Sequence, residues 1–349
     1  MSDARLTSFA PQLLEWFDAH GRHDLPWQHP RTPYRVWLSE IMLQQTQVSV
    51  VIDYFQRFIN ALPSLPALAA APLDDVLSLW SGLGYYSRAR NLHAAAQRCM
   101  QQHGGDLPRD LEALMQLPGI GRSTAGAIVS QAWGDAAPIL DGNVKRVLCR
   151  LFGISGWPGT PAIEKQLWAL AEQLLPAARL ADYTQAQMDF GATLCTRSNP
   201  SCQRCPLQTI CSAFQTQRTH ELPTPKPKKA LPQRSVIQLI LKDSKDRVFL
   251  QRRPATGIWA QLWSLPEFDT EDEAQHWLLQ HHGKTLQDAQ TLPILVHRFS
   301  HYRLNIQPRT IHVKRLPARI SDNDSQRWVA PGELSAHGLP APVRKLLQE

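Results

Sequence analysis

At 349 residues the chain is long enough for two domains, each with its own core. A formal net charge of +7 points to an acidic partner, but the excess is confined: residues 1–215 carry 17 Lys+Arg against 17 Asp+Glu, and residues 216–349 carry 20 against 13. A nucleic-acid reading of the first half therefore needs local phosphate sites. The longest apolar run, Ala61 to Leu73, is broken by Pro63, Pro66 and Pro72, which excludes a membrane span, and the start of the chain lacks the cationic and apolar pattern of a signal peptide. A cytoplasmic protein is expected, and in that compartment clustered cysteines indicate metal in preference to disulfides.

From residue 5 to about 194, apolar residues recur at three and four: Leu6, Leu13, Leu14, Phe17; Val36, Trp37, Ile41, Leu43; Val51, Tyr54, Phe55, Phe58. Breakers fall at Pro63, Pro72, Gly82-Leu83-Gly84, Gly104-Gly105 and Gly153. The pattern predicts about ten short helices and no strand pair, an all-α domain. Within it Glu40 lies in an almost wholly apolar stretch, Val36 to Leu43, followed by Gln44-Gln45-Thr46. A carboxylate there is either on a solvated stripe or partly buried with a raised pKa, fit for acid–base work, and the polar run after it suggests a cleft mouth.

Two glycine turns come next. Gly82 to Asn91 opens a helix with Tyr85, Tyr86, Arg88 and Arg90, residues suited to phosphate contact and base stacking, or equally to a core helix with a solvated basic face. Leu117-Pro118-Gly119-Ile120-Gly121 turns tightly into a helix from about Arg122, leaving backbone amides where a phosphate can bind. Asp141 precedes the periodic run Val144, Val147, Leu148, Leu151, Phe152, which predicts an N-cap that stays ionised at the helix start. Glu40 and Asp141 could form the acid and carboxylate that glycosidic-bond cleavage requires.

Cys195, Cys202, Cys205 and Cys211 have the spacing C-x6-C-x2-C-x5-C, which implies a 4Fe-4S cluster or a tetrahedral metal; zinc sites more often use two short C-x2-C pairs. Cys99 and Cys149 read as core residues. Residues 216–234, with Pro223, Pro225, Pro227 and Pro232 among Lys226, Lys228, Lys229 and Arg234, predict a stiff basic linker. Beyond it the period becomes two. Val236–Leu241 and Arg247–Arg252 predict a hairpin, followed by a helix near 271–282, strands over Leu292–Phe299 and Arg303–Val313, and a short final helix.

On Leu25-Pro26-Trp27, Trp37 to Thr46, Gly82–Asn91, Leu117–Ile128, Leu140–Arg146 and the four cysteines, the chain resembles the helix-hairpin-helix DNA glycosylase superfamily with an iron–sulfur cluster loop, most closely adenine DNA glycosylases of the MutY type. The resemblance implies a multidomain fold: an all-α glycosylase domain over 1–215 with its cluster loop at 195–211, the linker 216–234, and an α+β Nudix-like domain over 235–349. It implies removal of adenine opposite 8-oxoguanine or guanine in double-stranded DNA by a monomeric enzyme holding one 4Fe-4S cluster, the base being flipped out of the duplex. Glu40 would protonate the adenine and later handle the water. Asp141 would stabilise the sugar cation, directly or through a covalent intermediate, with Asn143 supporting the pair. Gln45 and Tyr85 would enter the base stack; Arg88, Gly119, Gly121, Ser123 and Lys145 would complete the DNA contacts of the first domain. Endonuclease III-type relatives carry a Schiff-base lysine where Ser123 stands, so strand cleavage is not expected, and Lys145 is an incidental amine.

In the second domain Gly257 to Pro266 resembles the Nudix fold, while Glu271 to Gly283 lacks the paired glutamates that would hold Mg²⁺, so no pyrophosphohydrolase activity is expected. Phe299-Ser300-His301 matches the loop that reads 8-oxoguanine in the family. A non-catalytic damage sensor is disfavoured by the presence of both carboxylates.

Overall fold

The computed structural model describes residues 4–227, 230–299, 301–314 and 325–348. The chain divides into two compact units, Met1–Ala70 with Asn91–Lys228 and Ala71–Arg90 with Lys229–Glu349.

The first unit is helical. Its elements are α1 (Ala4–His20), α2 (Pro33–Leu43), α3 (Val48–Ala61), α4 (Leu65–Ala70), the body of α6 (Ser87–Gln102), α7 (Leu111–Met115), α8 (Arg122–Trp133), α9 (Gly142–Phe152), α10 (Pro161–Gln173) and α11 (Leu180–Asp189). The helices start where short polar side chains or proline precede them. Thr32 accepts from Arg35 N ahead of Pro33, and Asp110 and Asp141 each accept from an amide three residues on. Their apolar stripes meet in a core that includes Phe9, Leu13 and Phe17 of α1, Val144, Leu148 and Leu151 of α9, and Tyr183 and Ala186 of α11. After α11 the helix loosens into one π turn, Phe190–Leu194, which delivers Cys195. A short helix α12 (Ser212–Gln215) succeeds the cysteines.

The segment expected as a linker is docked along the first unit over its early residues. Leu222 is buried and its carbonyl accepts from Arg150 Nε, Gly156 N donates to Thr224 Oγ1, and Lys226 lies over the Trp157 ring. Lys228 and Lys229 lie outside the described residues.

The second unit is a mixed sheet between two helices. Strands β1 (Gln233–Lys242), β2 (Val248–Arg252), β3 (Trp263–Ser264), β5 (Gln290–Thr291) and β7 (Arg303–His312) run in the order β3-β2-β1-β7-β5, with β4 (Glu267–Phe268) on β1, β6 (Leu295–Arg298) on β7 and β8 (Gln326–Val329) on β2. The predicted hairpin is β1–β2, its turn fixed by the Asp243 carboxylate, which accepts from Lys245 N and Arg247 N. The two long strands pair in parallel, Gln233 with Arg303 through Lys242 with His312. Alternation along β1 splits its apolar residues between two cores. Val236 and Ile240 meet Val343 and Leu346 of α14 (Ala341–Gln348), while Ile237, Leu239 and Leu241 meet Ala274 and Leu278 of α13 (Glu271–His282). Glu273 is spent on the capping box with Thr270, and Glu271 pairs with Arg309. Residues 71–90, with α5 (Leu73–Leu79), join this unit through paired bonds from Arg252 to the Asp74 carboxylate and from Tyr86 Oη to Leu339 O.

In the first unit a glycine sets how closely α8 can lie against the segment that leads into α9. A Cβ on Gly126 of α8 would stand 2.3 Å from Pro138 O, whereas one on Gly121, at φ −94°, would meet nothing within 4 Å. Gly126→Ala should therefore cost about 1–3 kcal/mol in thermal or urea unfolding by forcing α8 off the 138–141 segment, and Gly121→Ala less than about 1 kcal/mol.

Candidate active site

A cleft of about 760 Å³ opens in the first unit where the end of α2, the start of α8, the start of α9 and the middle of α11 converge. Glu40 enters from the last turn of α2, half-buried, and its Oε1 accepts from Nε2 of the buried Gln131 on α8 at 3.0 Å. Burial pushes its carboxyl up to about 7, the charge of Asp141 adds to the rise, and the Gln131 hydrogen bond opposes it. Of the two placements the sequence left open for Glu40, this is the partly buried one.

Asp141 caps α9. Oδ1 accepts from Val144 N at 2.8 Å and Oδ2 from Asn143 Nδ2 at 3.3 Å. The sequence led us to expect an ionised carboxylate here. Burial raises its pKa above the ordinary carboxylate value, and the bonds from Val144 and Asn143 and the nearby Arg146 oppose the rise without cancelling it. Asn143 is itself held by Arg146, whose guanidinium donates to Asn143 Oδ1 at 2.8 Å, to Gly191 O at 2.6 Å and to Cys195 O at 2.8 Å. Gly191 is needed at that junction, since a Cβ there would lie 2.5 Å from Asn143 Cβ.

The glycine hairpin lies beside the cleft. Gly119 has φ +80°, and no side chain caps the helix at Gly121, so the first amides of α8 keep no side-chain acceptor. Ser123 lines the cleft, and its Oγ accepts from Leu140 N at 2.9 Å, which ties α8 to the residue before Asp141. Gln45 stands exposed at the cleft edge with φ +60°, an unusual backbone for a residue with a side chain.

Two expected DNA contacts are placed differently. The Arg88 side chain is 7% exposed, donates through Nη2 to the carbonyls of Leu83 and Gly84 and lies over the Trp80 ring; it holds the glycine turn from inside the second unit and is not presented to a phosphate. Lys145 does not line the cleft, and its Nζ is bonded to Glu164 Oε1 at 2.6 Å.

The structure adds residues the sequence reading missed. Gln131 is one, a lone amide in the apolar helix Ala125–Trp133, which was the available signal. Arg22 and Gln185 also line the cleft, both bonded to the buried Asp189: Arg22 through its backbone and guanidinium, Gln185 through Nε2 at 2.8 Å. Gln185 Oε1 is left buried with no hydrogen-bond donor.

Cys195, Cys202, Cys205 and Cys211 ring one small hollow with Arg150, Leu194 and Phe214. Arg150 is almost fully buried and donates to the carbonyls of Cys195, Thr196, Arg197 and Leu222 and to Cys195 Sγ at 3.4 Å. Among the described residues no three of His, Cys, Asp or Glu converge as a site for an ion.

In the second unit Tyr85, exposed and at φ +49°, lines a cavity of about 400 Å³ together with Trp259, His297, Phe299 and His301. Phe299 stacks on Tyr302 and packs against Trp259. Ser300 lies outside the described residues. No helix of the described residues is long and apolar enough to cross a membrane.

Comparison with known proteins bears on both units. The family model described as HhH-GPD superfamily base excision DNA repair protein matches residues 38–173, and that of the NUDIX domain matches residues 237–349. An adenine DNA glycosylase of Buchnera aphidicola subsp. Acyrthosiphon pisum is 39% identical over 97% of this chain and 97% of its own. The adenine DNA glycosylase of Homo sapiens is 33% identical over 99% of this chain and 74% of its own. Among solved structures, a thermostable thymine-DNA glycosylase aligns with a TM-score of 0.57 at 29% identity, covering 62% of this chain and 99% of that one. The chain belongs to the adenine DNA glycosylase family of base excision DNA repair enzymes.

Proposed function

We propose that this chain hydrolyses the N-glycosidic bond of adenine opposite 8-oxoguanine or guanine in duplex DNA, with Glu40 as general acid and Asp141 as the stabilising carboxylate. One observation carries the reading: two carboxyl groups of raised pKa share one cleft beside a hairpin whose helix start has free amides. Backbone phosphate at Gly119–Gly121 positions the duplex, and the adenine, flipped from the stack, enters the cleft. The unpartnered Gln185 Oε1 can accept from its exocyclic amine, a donor that a 6-keto purine lacks at that position.

Glu40, protonated near neutral pH, donates to a ring nitrogen while the C1′–N9 bond breaks and its electron pair leaves with the base. As positive charge grows on the sugar, the Asp141 carboxylate is attracted to it, and the low polarity of the cleft strengthens the attraction. Water then adds its hydroxide to C1′ and its proton to Glu40. Ser123, a hydroxyl already bonded to Leu140 N, cannot form an iminium, so the reading is hydrolysis without strand cleavage.

The four thiols fit a 4Fe-4S cluster: they ring a common hollow with the spacing C-x6-C-x2-C-x5-C, and the buried Arg150 supplies the positive charge that anionic ligands require. Such a cluster would cross-link the loop 195–211 against α9. The cavity of the second unit lined by Tyr85, Phe299 and His301 supports its assignment to recognition of the opposing base.

Three outcomes are expected. Glu40→Gln should lower the single-turnover rate of adenine release from an 8-oxoguanine:adenine duplex by at least about 10²-fold while duplex binding persists. Gln131→Met removes the bond that favours ionised Glu40, so the alkaline limb of the pH–rate profile should move to higher pH. Folded Glu40 keeps to about pH 7 a proton that it ordinarily gives up near 4.5, so its contribution to stability is full below about 4.5 and is lost as pH rises through 7. Glu40→Gln should then be more stable than the parent at pH 8, by up to about 3 kcal/mol, with the difference closing toward pH 4.5 in denaturant titrations.

A further inference from the structure

Two cations near the hairpin are already engaged by a single helix. Arg122, the first residue of α8, donates through Nη2 to Glu172 Oε1, and its guanidinium lies 4.0 Å from the centre of the Trp168 ring. Lys145, in the first turn of α9, donates to Glu164 Oε1. Glu164, Trp168 and Glu172 recur every four residues along α10, so they form one stripe on its face. These pairs are not built like fixed structural bridges. Side-chain exposure is 40% and 52% for Arg122 and Glu172, and 23% and 42% for Lys145 and Glu164. Pairs so open to water are weak and yield to a stronger anion. The buried Arg22–Asp189 bridge of the same unit is the contrast, with an aspartate side chain 1% exposed.

The first half of the chain has no excess of positive charge, so each cation near the phosphate-binding hairpin counts. We propose that Glu172 and Glu164 are placeholders for backbone phosphates: they hold Arg122 and Lys145 extended and ready, and duplex DNA displaces them. The Trp168 ring holds the guanidinium carbon while Glu172 takes an Nη2 donor, so Arg122 keeps its position while the carboxylate is exchanged for phosphate. The carboxylates thereby lower affinity for DNA in general and leave the grip to sites where the duplex is seated well enough to win the exchange. The proposal rests on the DNA-glycosylase reading above.

The test is a double-mutant cycle on the full chain in a Glu40→Gln background, so that binding to a duplex with one guanine:adenine pair is measured without turnover. Glu172→Gln should tighten binding at least threefold at about 50 mM salt, and the gain should shrink at higher salt as charges are screened. In an Arg122→Ala background the same change should shift affinity by less than 1.5-fold, because the competitor then has nothing to release. Weaker or unchanged binding by Glu172→Gln would overturn the proposal, since the carboxylate would then be an organising partner in the complex. Tightening that persists without Arg122 would also overturn it, as loss of general repulsion. A parent chain that fails to bind mispaired duplex at all would instead sink the glycosylase reading on which the exchange depends.

Discussion

Two carboxyl groups in one partly desolvated cleft repel each other when ionised, and the arrangement of the first unit is a means of containing that repulsion. Gln131 supplies one neutral donor to Glu40, and Val144 N and Asn143 supply two to Asp141. A stronger counter-charge on either group would lower its pKa and remove the acid. Arg146 accordingly hydrogen-bonds Asn143 and leaves Asp141 to that amide, with its other bonds going to the carbonyls of Gly191 and Cys195. Both pKa values are raised as a result, and acid catalysis draws on the raised value of Glu40.

The same economy governs how the hairpin is held. Ser123 spends its hydroxyl on Leu140 N, the residue that leads into Asp141. Gly126 lets α8 approach Pro138 closely enough for that bond. Amides at the start of α8 are left uncapped, and the nearby cations are matched by exposed carboxylates of α10. The site gains specificity from placement of single groups and little from net charge, consistent with a first half that is neutral overall.

Much of this was legible in the chain because local physics dominates it. Apolar spacing at three and four gave the helices of the first unit, Asp141 its cap, and alternation of period two the β1–β2 hairpin, whose first strand begins three residues before the expected Val236, while α13 lies where it was expected. What could not be read was long-range. No periodicity tells that residues 71–90 group with the second unit or that β1 and β7 pair in parallel. Arg88 shows the limit well: arginine beside aromatics reads as a phosphate contact, yet two carbonyls left open by the Gly82–Gly84 turn claim its guanidinium. Gln185 and Arg22 became visible only when Asp189 gathered them at the cleft. For Asp141 the sequence shows the cap, while the burial that raises its pKa comes from tertiary packing, which the sequence does not carry.

The central claim is that Glu40 is a proton carrier because its cleft and its neighbour keep it protonated to near neutrality. Infrared difference titration of the full chain, comparing the parent with Glu40→Gln and Asp141→Asn, measures that directly. One carboxyl band should titrate near pH 7, vanish in Glu40→Gln and move to lower pH in Asp141→Asn, where the repelling charge is gone. If all bands assignable to Glu40 titrate in the ordinary carboxylate range near 4.5, the account of the site is wrong.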